Sequence, residues 1–244
     1  MWNRQELKMR GKMAFQANYG SAVAVALLMG IISSFFGGGS GVNTARMEQN
    51  TDPYSQGSAY GEYGNLNYGI LMGVIGAAAV VMGLIGTLLT IFVESVLQVG
   101  GCRFFIQNQT GRPGIGTMLD GFRSGHYGNI VLTMFLRNLF ITLWSLLLVV
   151  PGIIKSYEYM MVPYILAENP GMDRREAFQI SKQMMDGQKW EAFVLDLSFF
   201  GWHLLSVFTC GLLEIFFVAP YLQATYAELY AFNKMRGYQE GFIR

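Results

Sequence analysis

The stretch 70–93, ILMGVIGAAAVVMGLIGTLLTIFV, contains no charged residue and decides what kind of protein this is. An α-helix rises about 1.5 Å per residue, so roughly 20 apolar residues cross a 30 Å hydrocarbon core, and this stretch is long enough to do so with some tilt. The rest of the chain agrees. Hydrophobic residues make up 52% of it and charged residues only 14%, with 30 glycines. Ordinary globular chains carry roughly 25% charged residues, so too few are present here to cover a water-facing surface. The net charge of +1 also excludes a clustered basic excess of the kind that binds nucleic acid.

Working outward, 19–36 (YGSAVAVALLMGIISSFF) is a second uncharged window, and 130–150 is a third with Arg137 inside it. Pro151 and Gly152 are expected to break that helix. The window 153–167 is short and holds Lys155, Glu158 and Pro163, so it reads as a fourth span or as a re-entrant or interfacial segment. The windows 190–208 and 212–230, parted by Thr209, Cys210 and Gly211, read as a tight hairpin. The expectation is an all-α polytopic membrane bundle of about six transmembrane helices, forming one integral domain over 1–244.

The basic residues test this layout, because Lys and Arg accumulate on the cytoplasmic side of short loops. With the N-terminus inside, the cytoplasmic segments collect Arg4, Lys8, Arg10, Lys12, Arg103, Arg112, Arg123, Arg174, Arg175, Lys182, Lys189, Lys234, Arg236 and Arg244. Of the remaining three, Arg46 falls in an external loop, and Arg137 and Lys155 fall within spans. Both termini are therefore expected in the cytoplasm. The positive stretch before the first window could belong to a signal peptide, but the apolar stretch is long and no A-x-A pattern follows, so a retained first helix is expected.

Three segments lie outside the spans. Residues 1–18 alternate basic and apolar positions, as in an amphipathic helix at an anionic lipid surface, with a frayed leader as the alternative. Residues 37–69 are rich in Gly, Ser, Asn and Tyr and are expected to form an external loop; without a Lys-Ser/Thr ending they are no phosphate-binding loop. Residues 173–187 read as a cytoplasmic amphipathic helix. Asp173 and Glu176 fit a capping box there, with Ala177, Ile180 and Met184 on the apolar face.

Gly69, Gly76 and Gly83 recur every seven residues in the second span, and Ala22, Ala26 and Gly30 every four in the first. Small residues on one helical face allow close backbone approach in lipid, so these two faces are expected to pack together or to form an oligomer contact. A faint repeat relates 144–167 to 202–224. Its shared pieces are W-x-L-L, a glycine turn and P-Y-x-x-A, and chance similarity between apolar hairpins explains it equally well.

The candidate polar residues are Arg137, Asp196, Lys155 and Glu158. Arg137 and Asp196 sit at similar depth on two spans and are expected to face the interior and meet, directly or through water, while Lys155 and Glu158 can pair at i, i+3. Glu94, Glu214 and His203 are further ionisable groups near span boundaries. These groups form either a polar route for an ion or substrate or a set of structural pairs. No H-E-x-x-H or G-x-S-x-G is present, and Cys102 and Cys210 are expected at opposite faces. No catalytic, metal or cofactor residue is assigned, and no cofactor is expected.

The run 144–213, WSLLLVVPGIIKSYEYMMVPYILAENPGMDRREAFQISKQMMDGQKWEAFVLDLSFFGWHLLSVFTCGLL, resembles the bacterial integral membrane family catalogued as domain of unknown function 975. RQELKMRGKMAFQANY (4–19) and VGGCRFFIQNQTG (99–111) resemble the family's other recurrent blocks. The resemblance implies several spans in a cytoplasmic membrane of Gram-positive type, and it supplies no activity or catalytic residues. Three functional readings follow. The first is a non-enzymatic protein acting through contacts with lipids, peptides or membrane proteins, itself included. The second is a small transporter or channel subunit lined by Arg137, Asp196, Lys155 and Glu158. The third is a membrane-embedded enzyme.

Overall fold

The computed structural model describes residues 2–36 and 61–243, and among these the regular structure is entirely helical. Helix α1 (Arg4–Ala17) is capped by Asn3, whose side chain accepts a hydrogen bond from the Gln5 amide. It meets α2 (Tyr19–Phe36) at 104°. Its buried residues Leu7, Gly11 and Phe15 recur every four positions and face the last long helix, while Met9 and Met13 stay exposed. The expected amphipathic helix thus exists, and its packed face rests on protein.

Helix α3 (Gly61–Leu89) runs through a π-helical turn (Thr90–Glu94) into α4 (Ser95–Gln107). It begins at Gly61, so 61–69 belong to the helix and not to the expected loop. Once an apolar helix is nucleated, adding a polar turn costs little. The remainder of that loop, 37–60, lies outside the described residues. The two halves of this long helix differ sharply. Residues 71–85 are exposed to the surroundings throughout, whereas α4 buries Val96, Val99, Cys102, Phe104 and Phe105 in the core.

A short 3-10 turn (Ile115–Leu119) and α5 (Asp120–Arg123) lead to α6 (Tyr127–Leu147). The chain reverses at Leu148, which is extended (φ −156°, ψ 138°), and α7 (Val149–Glu158) returns along α6. The break therefore precedes Pro151, which occupies the first turn of α7. There its missing N–H costs nothing, so Pro151 starts a helix where it was expected to end one. The window 153–167 is itself divided at 159–161, and its second half is α8 (Val162–Glu168), buried almost completely by protein. Neither piece is long enough to cross a membrane.

Helix α9 (Arg174–Met184) follows the sequence expectation closely. Asp173 caps it through the Arg175 amide, and Ala177, Ile180 and Met184 are buried. Helices α10 (Lys189–Phe208) and α11 (Ala219–Glu240) form the last hairpin, with Cys210 and Gly211 at positive φ in the turn and a π-helical stretch (Glu214–Val218) after it. The repeated P-Y-x-x-A has a structural counterpart. Pro163 and Pro220 both open helices, and the Pro, Tyr and Ala of each copy are buried.

Among the described residues three helical runs are long and apolar enough to cross a membrane: Leu71–Gln107, Tyr127–Leu147 and Lys189–Phe208. The bent pair α1 and α2 makes a fourth if it is one span. The expected windows at 153–167 and 212–230 are not among them, the first because it is divided and the second because Glu214, Gln223 and Glu228 make its helical run too polar.

Among the described residues, the chain comes closest to itself at glycines other than Gly76 and Gly83 of the seven-residue stripe. A Cβ placed on Gly100 would collide with the carbonyl oxygen of Met118, and one on Gly11 would lie 2.9 Å from the backbone of Thr225. A Cβ on Gly76 would meet nothing within 4 Å. Gly100→Ala should therefore cost about 1–3 kcal/mol of stability through overpacking. Gly76→Ala should leave stability unchanged or raise it by up to about 1 kcal/mol. Thermal unfolding in detergent compares the two, and equal stabilities would contradict this packing.

Candidate functional site

The short helix α7 ends in Lys155-Ser-Tyr-Glu-Tyr159, and this segment gathers the polar groups that lie within or beside the apolar helices. Glu158 is buried at 3% exposure, a costly place for a carboxylate unless it is paired. Lys155 Nζ donates to one of its oxygens at 2.8 Å, and Lys189 Nζ, from the first residue of α10, donates to the other at 3.0 Å. The Glu158 carbonyl accepts from Ser181 Oγ of α9 at 2.8 Å. One residue on each side completes the junction. Tyr157 donates its hydroxyl to Asp196 of α10 at 2.7 Å, and the Tyr159 carbonyl accepts from Arg137 Nε of α6 at 2.9 Å.

Arg137, Lys155, Glu158 and Asp196 therefore all belong to one network, but not in the expected arrangement. Lys155 and Glu158 pair. Arg137 and Asp196 do not touch: Arg137 holds the Tyr159 carbonyl and, through Nη1, Asn138 Oδ1 at 3.2 Å. Asp196 holds two phenols, Tyr157 on one oxygen and Tyr226 of α11 on the other at 2.5 Å. Tyrosine supplies a donor without a second charge, which is why helix-depth arithmetic on charged residues alone could not find these partners.

Asp196 opens onto a recess of about 350 Å3 between α10 and α11, walled by Phe193, Phe199, Phe200, Leu222 and Tyr226. His203 lies at its far end, and its Nδ1 is 2.9 Å from Glu214 across the hairpin turn. Lys189, Asp196 and His203 are spaced by seven residues, so they share one face of α10. On the near side, Lys8 of α1 reaches Ser198 Oγ at 3.2 Å and lies 4.3 Å from the centre of the Phe199 ring.

The sequence-derived packing residues are distributed differently. Ala22 and Ala26 are buried, and Ala26 and Gly30 border a cavity shared with Leu97 of α4 and with Ala219 and Gln223 of α11. Gly76 and Gly83 lie on the exposed length of α3, and the surroundings of Gly69 fall outside the described residues. Cys102 is buried and Cys210 is exposed at the hairpin turn, and neither is in a disulfide.

Residues 146–235 match the family model described as Protein of unknown function (DUF975). No curated protein and no solved structure matches the chain. The matched region contains the Glu158 junction, Asp196 and both of its tyrosines, whereas Arg137 lies outside it.

Tyr157→Phe and Tyr226→Phe each remove a hydroxyl donor to a carboxylate and should each cost about 1.5–3 kcal/mol. Because Arg137 and Asp196 have separate partners, the losses in Arg137→Gln and Asp196→Asn should add in the double variant. Unfolding of the four proteins in detergent measures this. A departure from additivity beyond about 0.5 kcal/mol would show that the two side chains are coupled, directly or through the α7 segment that both hold.

Proposed function

We propose that this chain is a multi-pass protein of the cytoplasmic membrane, with both termini on the cytoplasmic side. In this reading it acts by holding lipids, peptides or other membrane proteins against its helices, without making or breaking covalent bonds. The recess at Asp196 carries the reading. It is an open recess lined mainly by aromatic and aliphatic side chains, with the Asp196 carboxylate and His203 as polar groups, and few polar groups among apolar walls is the form that small-molecule and headgroup sites take. The exposed apolar length of α3, with Val74 and Met82 more than 60% exposed, supplies a second surface suited to acyl chains or to another helix, including one from a second copy.

One observation favours a transporter or channel subunit as the second reading. Lys189, Asp196 and His203 form a polar row along a helix that is long and apolar enough to span, and such rows mark ion and proton paths. Reconstitution into liposomes separates the two. The contact reading expects co-purified lipid and no flux of monovalent ions or protons above that of protein-free vesicles. Flux that is present in the native protein and falls in Asp196→Asn would overturn it in favour of transport.

A further inference from the structure

The charge balance around Asp196 is incomplete. Its two hydrogen bonds come from phenols, which satisfy the oxygens but bring no positive charge. The basic side chains near it are engaged elsewhere. Lys189 is held by Glu158, His203 by Glu214, and Lys8 by Ser198 and the Phe199 ring. Asp196 itself takes part in no ion pair among the described residues. A carboxylate in an apolar span without a countercharge is costly, and a cation seated in the recess would supply one.

The walls select which cation. Calcium or magnesium needs about six oxygen ligands, and Asp196 is the only carboxylate lining the recess. No group of three potential metal ligands exists among the described residues. Four of the other lining residues are aromatic, Phe193, Phe199, Phe200 and Tyr226, and they border, with Leu197, Leu222 and His203, a volume of about 350 Å3. Aromatic rings about a single anion are the chemistry that binds alkylammonium groups, whose charge is spread over carbon-bound hydrogens and attracted by ring quadrupoles.

We propose that the Asp196 recess binds an organic ammonium group, with the carboxylate as countercharge and Phe193, Phe200 and Tyr226 as the aromatic enclosure. The proposal rests on the contact reading above and names the chemical class of its ligand. An aminated lipid headgroup and a small free amine share this chemistry. The Tyr157 and Tyr226 hydroxyls act as positioning groups, fixing the carboxylate so that it faces the recess.

The test is equilibrium dialysis of radiolabelled tetramethylammonium against the full-length protein in detergent micelles, at constant ionic strength. Native protein should bind it. Asp196→Asn should weaken binding about tenfold or more, and Phe200→Leu several-fold. Phe200 is 62% exposed, so its replacement preserves the fold even if Asp196→Asn does not.

A second arm places the protein in nanodiscs containing equal amounts of phosphatidylethanolamine and phosphatidylglycerol, and native mass spectrometry then reads the retained lipid. Retention of phosphatidylethanolamine that is lost in Asp196→Asn identifies the headgroup as the source. Tetramethylammonium binding without a lipid preference identifies a free amine. Absent binding to native protein, equal binding in native protein and Phe200→Leu, or displacement by equimolar sodium would overturn the proposal. These outcomes are independent of the liposome flux that would overturn the contact reading.

Discussion

The structure depends on one buried carboxylate. Glu158 sits where α7, α9 and α10 converge, and its two oxygens are taken by ammonium groups from two directions. Such a group is tolerable in a low-dielectric interior only when fully paired, so its position fixes those of Lys155 and Lys189. Neighbouring residues then inherit their geometry: Tyr157 is aimed at Asp196, and the Tyr159 carbonyl is presented to Arg137. A ten-residue helix too short to span a membrane thereby sets the relation among three longer elements.

The same arrangement explains how polar groups survive among apolar helices without cancelling one another. Glu158 takes up two lysines, Glu214 takes up His203, and Glu168 takes Lys234 at 2.6 Å together with the Tyr230 hydroxyl at 2.7 Å. Asp196, in contrast to these three, is served by hydroxyls at both oxygens, and it is this carboxylate that borders the open recess. The two acidic residues, one fully paired and one beside the recess, are joined through adjacent positions of α7.

Much of the helical framework was legible in the sequence because it follows from local rules. The Asp173 cap and the Ala177, Ile180 and Met184 face required only helical periodicity and capping chemistry. The apolar windows at 70–93, 130–150 and 190–208 required only hydropathy and length. The Lys155–Glu158 pair required only i, i+3 spacing. What could not be read was set by long-range packing. Gly100 matters because it meets Met118, whereas Gly73, Gly76 and Gly83 of α3, although better spaced, lie on an exposed length of helix. Arg137 and Asp196 were placed in the right network with the wrong partners, since a tyrosine hydroxyl or a peptide carbonyl can answer a charge and neither is visible in a count of ionisable residues.

The central claim, that Glu158 is the charge on which this junction is built, is tested most directly by a double-mutant cycle in detergent. The proteins are the native chain, Glu158→Gln, Lys189→Met and the pair. Glu158→Gln alone should cost about 3–5 kcal/mol, because it leaves ammonium groups facing a neutral amide. The double variant should lose clearly less than the sum of the single losses. Losses that add within about 0.5 kcal/mol would show that Lys189 and Glu158 do not act on each other, and would contradict the account.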